Sequence, residues 1–358
     1  MDFTFSEEQQ AVAELASTIF GGMATTDRIK EIGATEDRID RKLWGELAKS
    51  NLLGISLPER YGGSGLGMTE QCLVLEQLGR RLAPVPLVWT AAAAMTIGEF
   101  APPDVAADIL PAVIAGDLLL SAALVQPGVG DPLDPSASFD GALSGTAVNV
   151  PLGDRILVPA RGRGDLILVL VDPAAEGVEA RRAETTNHQI VNHLSFTAAP
   201  ATVVASGRAA VRFASERALL GLCAVQLGVA AEALAQAASY TSNRIQFGKP
   251  LSSFQSTSAR AADAYIDIEA MRVTMWQAAW RIDEGLDAST AVEVAKWWAS
   301  EAGQRVVHAA QHLHGGIGAD VEYPVHRYFL WGKQIEDTLG GGSAHLAIIG
   351  AALAGVGG

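Results

Sequence analysis

Apolar residues first fall into register behind Ser6. Ala11, Leu15 and Ile19 share one face of a 3.6-residue period, and Ser6 followed by Glu8 and Gln9 reads as a helix start. Lys42–Asn51 predicts a second, short helix. The stretch from Ile55 to Gly65 loses the period, and its proline and glycines mark a loop. Thr69 is expected to cap a helix carrying Leu73, Leu75, Leu78 and Leu82, which stops before Pro84 and Pro86. Ala91–Phe100 and Val105–Ala115 predict two more helices. The pattern then changes. Leu119–Val125, Ala147–Val150, Arg155–Val158, Leu166–Val171 and Ala201–Val204 are short apolar, β-branched runs separated by Gly, Pro and Asp, which predicts strands. From Ala209 the period is helical again, with long Ala-rich segments at Ser215–Asn243, Phe254–Gly285 and Ala288–His314 and short ones at Pro324–Gly332 and Ser343–Leu353. The fold class read from this order is mainly α with a central β module: a helical segment over 1–118, a β segment over 119–206 and a helical bundle over 207–358.

Composition narrows the function classes. The 358 residues are 49% hydrophobic and 18% charged, enough to bury a core and too apolar for a disordered chain. A net charge of −14 argues against nucleic acid as the main partner, while one or two well-placed cations still suffice for a nucleotide pyrophosphate. Cys72 and Cys223 are too few for a disulfide framework or a cysteine metal site and read as small buried thiols. The start shows no basic region followed by an apolar run, and no uninterrupted apolar stretch of membrane-spanning length is visible, so the expectation is a soluble cytoplasmic protein with no membrane span.

Two segments carry candidate chemistry. In Asn243-Arg244-Ile-Gln-Phe247-Gly248-Lys-Pro-Leu-Ser-Ser-Phe254-Gln255 a helix ends at a glycine turn, where an arginine can grip an anion and a phenyl ring can pack on a flat one. The same residues also fit a plain helix–helix corner. Gln311-His312-Leu-His314-Gly315-Gly316-Ile-Gly318 ends the third long helix with glycines that admit a close approach, or that simply stop it. His308 and His312 stand at i, i+4 but lack an acidic or cysteine third ligand, so no metal is expected.

Together these segments resemble the acyl-CoA dehydrogenase family: Arg-x-Gln-Phe-Gly-x-x-Leu-x-x-x-Gln, then Leu-His-Gly-Gly-Ile-Gly-x-x-x-Glu-Tyr-Pro. The opening Phe3-Thr-Phe-Ser-Glu-Glu-Gln9 and the loop Leu53-Gly-Ile-Ser-Leu-Pro-Glu-Arg-Tyr-Gly-Gly-Ser-Gly65 are similar to it as well, so the likeness spans the chain in order. The resemblance implies an N-terminal helical domain, a middle β-barrel-like domain and a C-terminal four-helix bundle. It also implies FAD-dependent α,β-dehydrogenation of an acyl-CoA thioester, with a carboxylate as base and an electron-transferring flavoprotein as acceptor. In the family, FAD lies across a subunit interface. On that pattern Arg244, Phe247, Gln255, His312, Gly315 and Gly316 are the cofactor-binding residues this chain lends to a neighbour, His312 standing where a glutamine is usual.

The half of the site that a subunit keeps for itself is degraded. Leu124-Val-Gln-Pro-Gly-Val-Gly-Asp131 stands where the family has Thr-Glu-Pro-x-x-Gly-Ser-Asp. Ala147-Val-Asn-Val-Pro-Leu-Gly153 lacks the tryptophan of the flavin-facing strand, and Leu339 occupies the usual base position. Glu216 is a weak catalytic candidate. It lies two residues from the alternative base position at Ala218, about 200° around a helix, and reaches it only through a frayed start or a two-residue slip. As a helix-start residue its other role is to face the helix dipole. Glu336 and Asp337, near Leu339, read as a solvated charge pair. The expectation is therefore a base-lacking partner subunit of a two-plus-two heterotetramer formed with a homologous acyl-CoA dehydrogenase subunit. Bacterial relatives of this type act on steroid side chains, so lipid β-oxidation and steroid degradation are the implied setting. The alternatives are a self-sufficient homotetramer using Glu216, a flavin-dependent monooxygenase on the same fold, and a scaffold without flavin. Small residues along Leu219–Ala235 leave room for a bulky acyl chain and equally allow close helix packing.

Overall fold

The computed structural model describes residues 4–128 and 131–355; Phe3 of the opening motif and Val129 and Gly130 of the 124–131 run lie outside the described residues. Six helices come first: α1 (Glu7–Met23), α2 (Thr26–Gly33), α3 (Arg41–Lys49), α4 (Met68–Arg81), α5 (Leu87–Phe100) and α6 (Pro103–Ile114). Eight strands follow: β1 (Leu120–Ala122), β2 (Ser138–Phe139), β3 (Leu143–Pro151), β4 (Arg155–Arg161), β5 (Leu166–Val171), β6 (Val178–Glu184), β7 (Ile190–Ala199) and β8 (Ala201–Ser206). Then come α7 (Arg208–Asn243), the short strands β9 (Ile245–Gln246) and β10 (Lys249–Pro250), and α8 (Gln255–Asp283), α9 (Ser289–His314), α10 (Val325–Asp337) and α11 (Gly342–Leu353). The chain divides into two compact units, one of Met1–Ile29, Cys72–Ala83 and Leu222–Gly358, the other of Lys30–Gln71 and Pro84–Gly221.

The second unit is built around a mixed sheet in the order β6-β7-β3-β2-β4-β5-β8, with β1 pairing parallel to β4. Its core gathers Leu143, Val158, Val169, Leu194 and Phe196 from four strands. Helix α5 is locked onto it where the Thr90 hydroxyl donates to the Leu120 carbonyl at 2.8 Å. The first unit holds a helix crossing so close that only glycine fits. A Cβ on Gly228 of α7 would fall 2.0 Å from the Glu76 carbonyl oxygen, and one on Gly79 of α4 2.1 Å from that of Val225. Glu76 beside this crossing is buried, and it pairs with Arg80 at 2.8 Å and Arg272 at 3.3 Å.

Several expectations need correcting. Helix α4 begins at Met68, so Thr69 is inside its first turn; the Glu70 carboxylate accepts the Gly67 N–H at 2.8 Å instead. Helix α2 and strand β6 were not anticipated, because their sequences are polar, and β7 was missed although Ile190, Val191, Leu194 and Phe196 are buried, because Asn192, His193, Ser195 and Thr197 interrupt its apolar run. Helix α7 begins at Arg208, seven residues before the expected start. It is also long and apolar enough to cross a bilayer by length and composition, although 78% of its most apolar window is buried inside the protein. Ser6 caps α1 as expected, accepting from Gln9 N at 3.1 Å while the Gln9 side chain accepts from Ser6 N at 3.0 Å. Both cysteines are buried, and neither is in a disulfide.

Candidate functional site

The Arg244–Gly248 segment forms a two-residue hairpin. Arg244 follows the last turn of α7, its N–H donating to the Tyr240 carbonyl at 2.9 Å, and its own carbonyl accepts from Leu251 N at 2.9 Å. Gln246 and Lys249 pair across β9 and β10, leaving Phe247 and Gly248 at the tip with φ of 55° and 78°. Two positive φ values define the mirror-image turn that matches strand twist, normally made by Asn-Gly. Placing a phenylalanine there costs about 1–2 kcal/mol of backbone strain. The ring gains little within its own chain: it is 91% exposed, touching Phe254 edge-on at 6.2 Å. Gln255 is exposed at the first position of α8.

Helix α9 ends beside this hairpin. A cavity of about 490 Å³ is lined by Arg244, Tyr240, Asn243, Gln236, Tyr323 and Pro324. His314 is buried and stacks on Tyr240 at 4.8 Å and against Tyr323 at 5.4 Å. Its Nδ1 is 2.7 Å from the Ala310 carbonyl, so Nδ1 carries the proton and Nε2, buried and without a hydrogen-bond partner, is an acceptor. Burial pulls its pKa below the ordinary value, keeping it neutral. Gly315 turns the chain at φ 64°, and a Cβ on either Gly315 or Gly316 would meet nothing within 4 Å. His312 is exposed. His308 packs edge-on to Phe329 rather than joining His312, and no group of three metal-ligating side chains occurs among the described residues.

The other half is closed chemically. Gln126, beside Val125, is buried with both ends of its amide engaged: it donates to Pro159 O at 2.8 Å and accepts from Ser136 N at 2.6 Å and Ala137 N at 2.9 Å. The Val125 carbonyl accepts from Val148 N at 3.0 Å, and β3 bulges between Ala147 and Val150 with Asn149 at φ 52°. Leu339 sits at φ 59° in the link between α10 and α11. Glu216 is the ninth residue of α7, in continuous helix, so it has neither the frayed start that would re-aim it nor the helix-dipole position. Its carboxylate pairs with Arg217 at 3.2 Å, and the Arg217 guanidinium lies 3.3 Å over the Phe213 ring. Glu336 pairs with Lys333 rather than with Asp337. The donor set thus fits a flavin nucleotide on the hairpin side, with an arginine, an exposed ring and an open glycine edge. It does not fit one at 124–128 or at the bulge between Ala147 and Val150, stretches that carry neither a side-chain hydroxyl nor a tryptophan.

Sequence reasoning missed the group that fixes the Leu339 link. Lys296 is fully buried in α9, and its ammonium donates to Ser300 Oγ at 2.7 Å and to the carbonyls of Gly340 at 2.9 Å, Glu336 at 3.0 Å and Ile335 at 3.3 Å. Burial lowers its pKa to about 8. His345 joins the same link through Gly340 O at 3.1 Å and Glu293 at 2.5 Å. The only signal in sequence was a lysine on an apolar stripe four residues before a serine.

Known proteins match the chain along almost its whole length. The profile for "Acyl-CoA dehydrogenase, N-terminal domain" matches residues 6–117 and that for "Acyl-CoA dehydrogenase, C-terminal domain" residues 207–354. The chain is 36% identical to acyl-CoA dehydrogenase FadE27 of Mycobacterium tuberculosis, over 99% of both proteins. Among solved structures it is similar to a chain of the Tcur3481-Tcur3483 steroid ACAD (G363A variant), at 46% identity and TM-score 0.94 over 98% of each chain. It is also similar to a chain of the ChsE4-ChsE5 complex from Mycobacterium tuberculosis, at 36% identity and TM-score 0.94 over all of both.

Proposed function

From the premise that this chain belongs to the acyl-CoA dehydrogenase family of FAD-dependent oxidoreductases, we propose that it is the flavin-lending, base-lacking subunit of a heterotetramer built with a homologous acyl-CoA dehydrogenase subunit. The observation that carries this reading is the contrast between two regions of the chain. A strained hairpin holds Phe247 in water next to Arg244, whereas Gln126, the β3 bulge and Leu339 offer nothing to a flavin or an α-proton. FAD, when bound, supplies the hydride acceptor for α,β-dehydrogenation of an acyl-CoA thioester. Toward it, the Arg244 guanidinium donates paired hydrogen bonds to phosphate oxygens, Phe247 packs on a flat ring system, and Gln255 and His312 offer exposed polar side chains. Gly315 and Gly316 let the group come within van der Waals reach of the backbone. The Leu339 side chain has no lone pair to accept an α-proton, so the base belongs to the partner subunit.

Two further features support the assembly. Helix α8 exposes Ile266, Val273 and Trp280 at seven-residue intervals, an apolar stripe suited to a neighbouring helix. Relatives of this chain include a complex of two named subunits and a protein described as a steroid ACAD, which supports a bulky, steroid-type acyl-CoA as the substrate class. An electron-transferring flavoprotein as acceptor and a cytoplasmic setting complete the reading. The test is to purify the chain alone and with a homologous partner, then measure the flavin spectrum and subunit ratio. The expected result is a colourless chain alone and a yellow complex holding fewer flavins than subunits, with flavin lost on Arg244→Met. A chain that binds FAD stoichiometrically by itself and oxidises an acyl-CoA overturns the proposal.

A further inference from the structure

A second cavity, of about 250 Å³, lies next to the Arg244 cavity and shares Gln236 and Pro324 with it. Arg81, Arg327, Gln236, Thr26 and Tyr328 are among its lining residues. Arg81 ends α4 with its guanidinium 3.8 Å from where a Gly21 Cβ would stand, and Arg327 is in the first turn of α10. Among the described residues neither arginine side chain makes a hydrogen bond or an ion pair, and Nη1 of Arg327 is buried without a partner. Burial pulls the Arg327 guanidinium below its ordinary pKa, and Glu322, the one acid whose charge opposes this, does not restore it. A buried guanidinium nitrogen with no acceptor is costly in any fold, and here it occurs in a chain of net charge −14, where carboxylates are plentiful. Elsewhere arginines of low exposure each reach a carboxylate: Arg80 and Arg272 pair with Glu76, Arg38 with Glu184 and Arg217 with Glu216.

We propose that this cavity is an oxyanion site, distinct from the Arg244 site, whose ligand is a phosphate monoester or free phosphate held between Arg81 and Arg327. Two guanidinium groups match a dianion in charge, and their planar N–H forks match its spread of oxygen acceptors. Gln236 and Thr26 add neutral polar groups at the lining. The volume is below the ~300–1,000 Å³ of sites for drug-sized molecules, so the ligand is a small anion or the phosphate end of a larger molecule reaching in from outside.

The inference stands apart from the flavin reading and is tested separately from it. Inorganic phosphate is titrated against the full-length chain by calorimetry at fixed ionic strength, with sodium acetate and ADP as further ligands. Phosphate is expected to bind with a stoichiometry near one, to weaken at least tenfold in Arg327→Met and in Arg81→Met, and to be unchanged in Arg244→Met. ADP is expected to respond to Arg244→Met. Should Arg327→Met fail to fold, Arg81→Met at its exposed position carries the test alone. No phosphate binding, acetate binding as tightly as phosphate, or phosphate binding that is lost in Arg244→Met and kept in Arg81→Met, overturns the inference. The last of these outcomes leaves the proposed function standing.

Discussion

Replacing Lys296 by methionine removes an ammonium that reaches three main-chain carbonyls around the end of α10 and the Leu339 link. An ammonium has three donors for the four oxygens in range, so the 3.3 Å contact to Ile335 is the weakest. Hydrogen bonds to a charged group contribute ~1.5–3 kcal/mol each, against a desolvation cost of several kcal/mol for the buried charge. Methionine fills most of the volume but leaves Glu336 O and Gly340 O without this donor. The net expectation is a destabilisation of about 2–4 kcal/mol at pH 7. The pH dependence has a definite sign. The folded pKa, about 8, lies below the ordinary lysine value of 10.5, so the unfolded chain binds more protons between those values and stability rises with pH there. From pH 7 to 9 the lysine contributes a gain on the order of 1 kcal/mol that the variant lacks. Cys223, pushed up to about 12 by burial, opposes this increasingly as pH passes the ordinary thiol value of 9.0, which sets the upper limit of the window. Urea unfolding of both proteins at pH 7 and pH 9, followed by circular dichroism, measures the difference. A variant as stable as the parent, or a gap that narrows with rising pH, refutes the reasoning.

Three other perturbations have clear expected outcomes. Phe247→Gly relieves the positive φ at the hairpin tip and raises stability by about 1 kcal/mol in thermal unfolding, yet weakens flavin retention in the complex; equal retention removes Phe247 from the site. Gly228→Ala drives a Cβ into the Glu76 carbonyl and destabilises by about 2–4 kcal/mol, visible as a lowered urea midpoint. Glu216→Gln leaves turnover of the assembled complex unchanged, because its carboxylate is committed to Arg217 within continuous helix; a loss of a hundredfold or more in kcat would restore it as the base.

The long helices were legible because each buries one continuous stripe: α8 and α9 fall within a residue or two of their expected ends, and β5 at Leu166–Val171 is all apolar as a central strand should be. Strand β6, Val178–Glu184, was not. It lies at the sheet edge with most of its residues in water, so its pairing with β7 is written in backbone hydrogen bonds and not in apolar residues. The same distinction separates the site residues. Arg244 and Phe247 are three positions apart in sequence and form a motif. Lys296 acquires its role from carbonyls some forty positions away, which no local window contains.

The phenyl ring at the hairpin tip has a thermal consequence. Covering a side chain of that size withdraws enough apolar surface to contribute ~1.5–3 kcal/mol at each contact, and contributions of this kind fade on cooling. In the proposed complex, flavin retention is therefore expected to be weaker on ice than at room temperature, a loss of yellow colour that precedes any loss of helix.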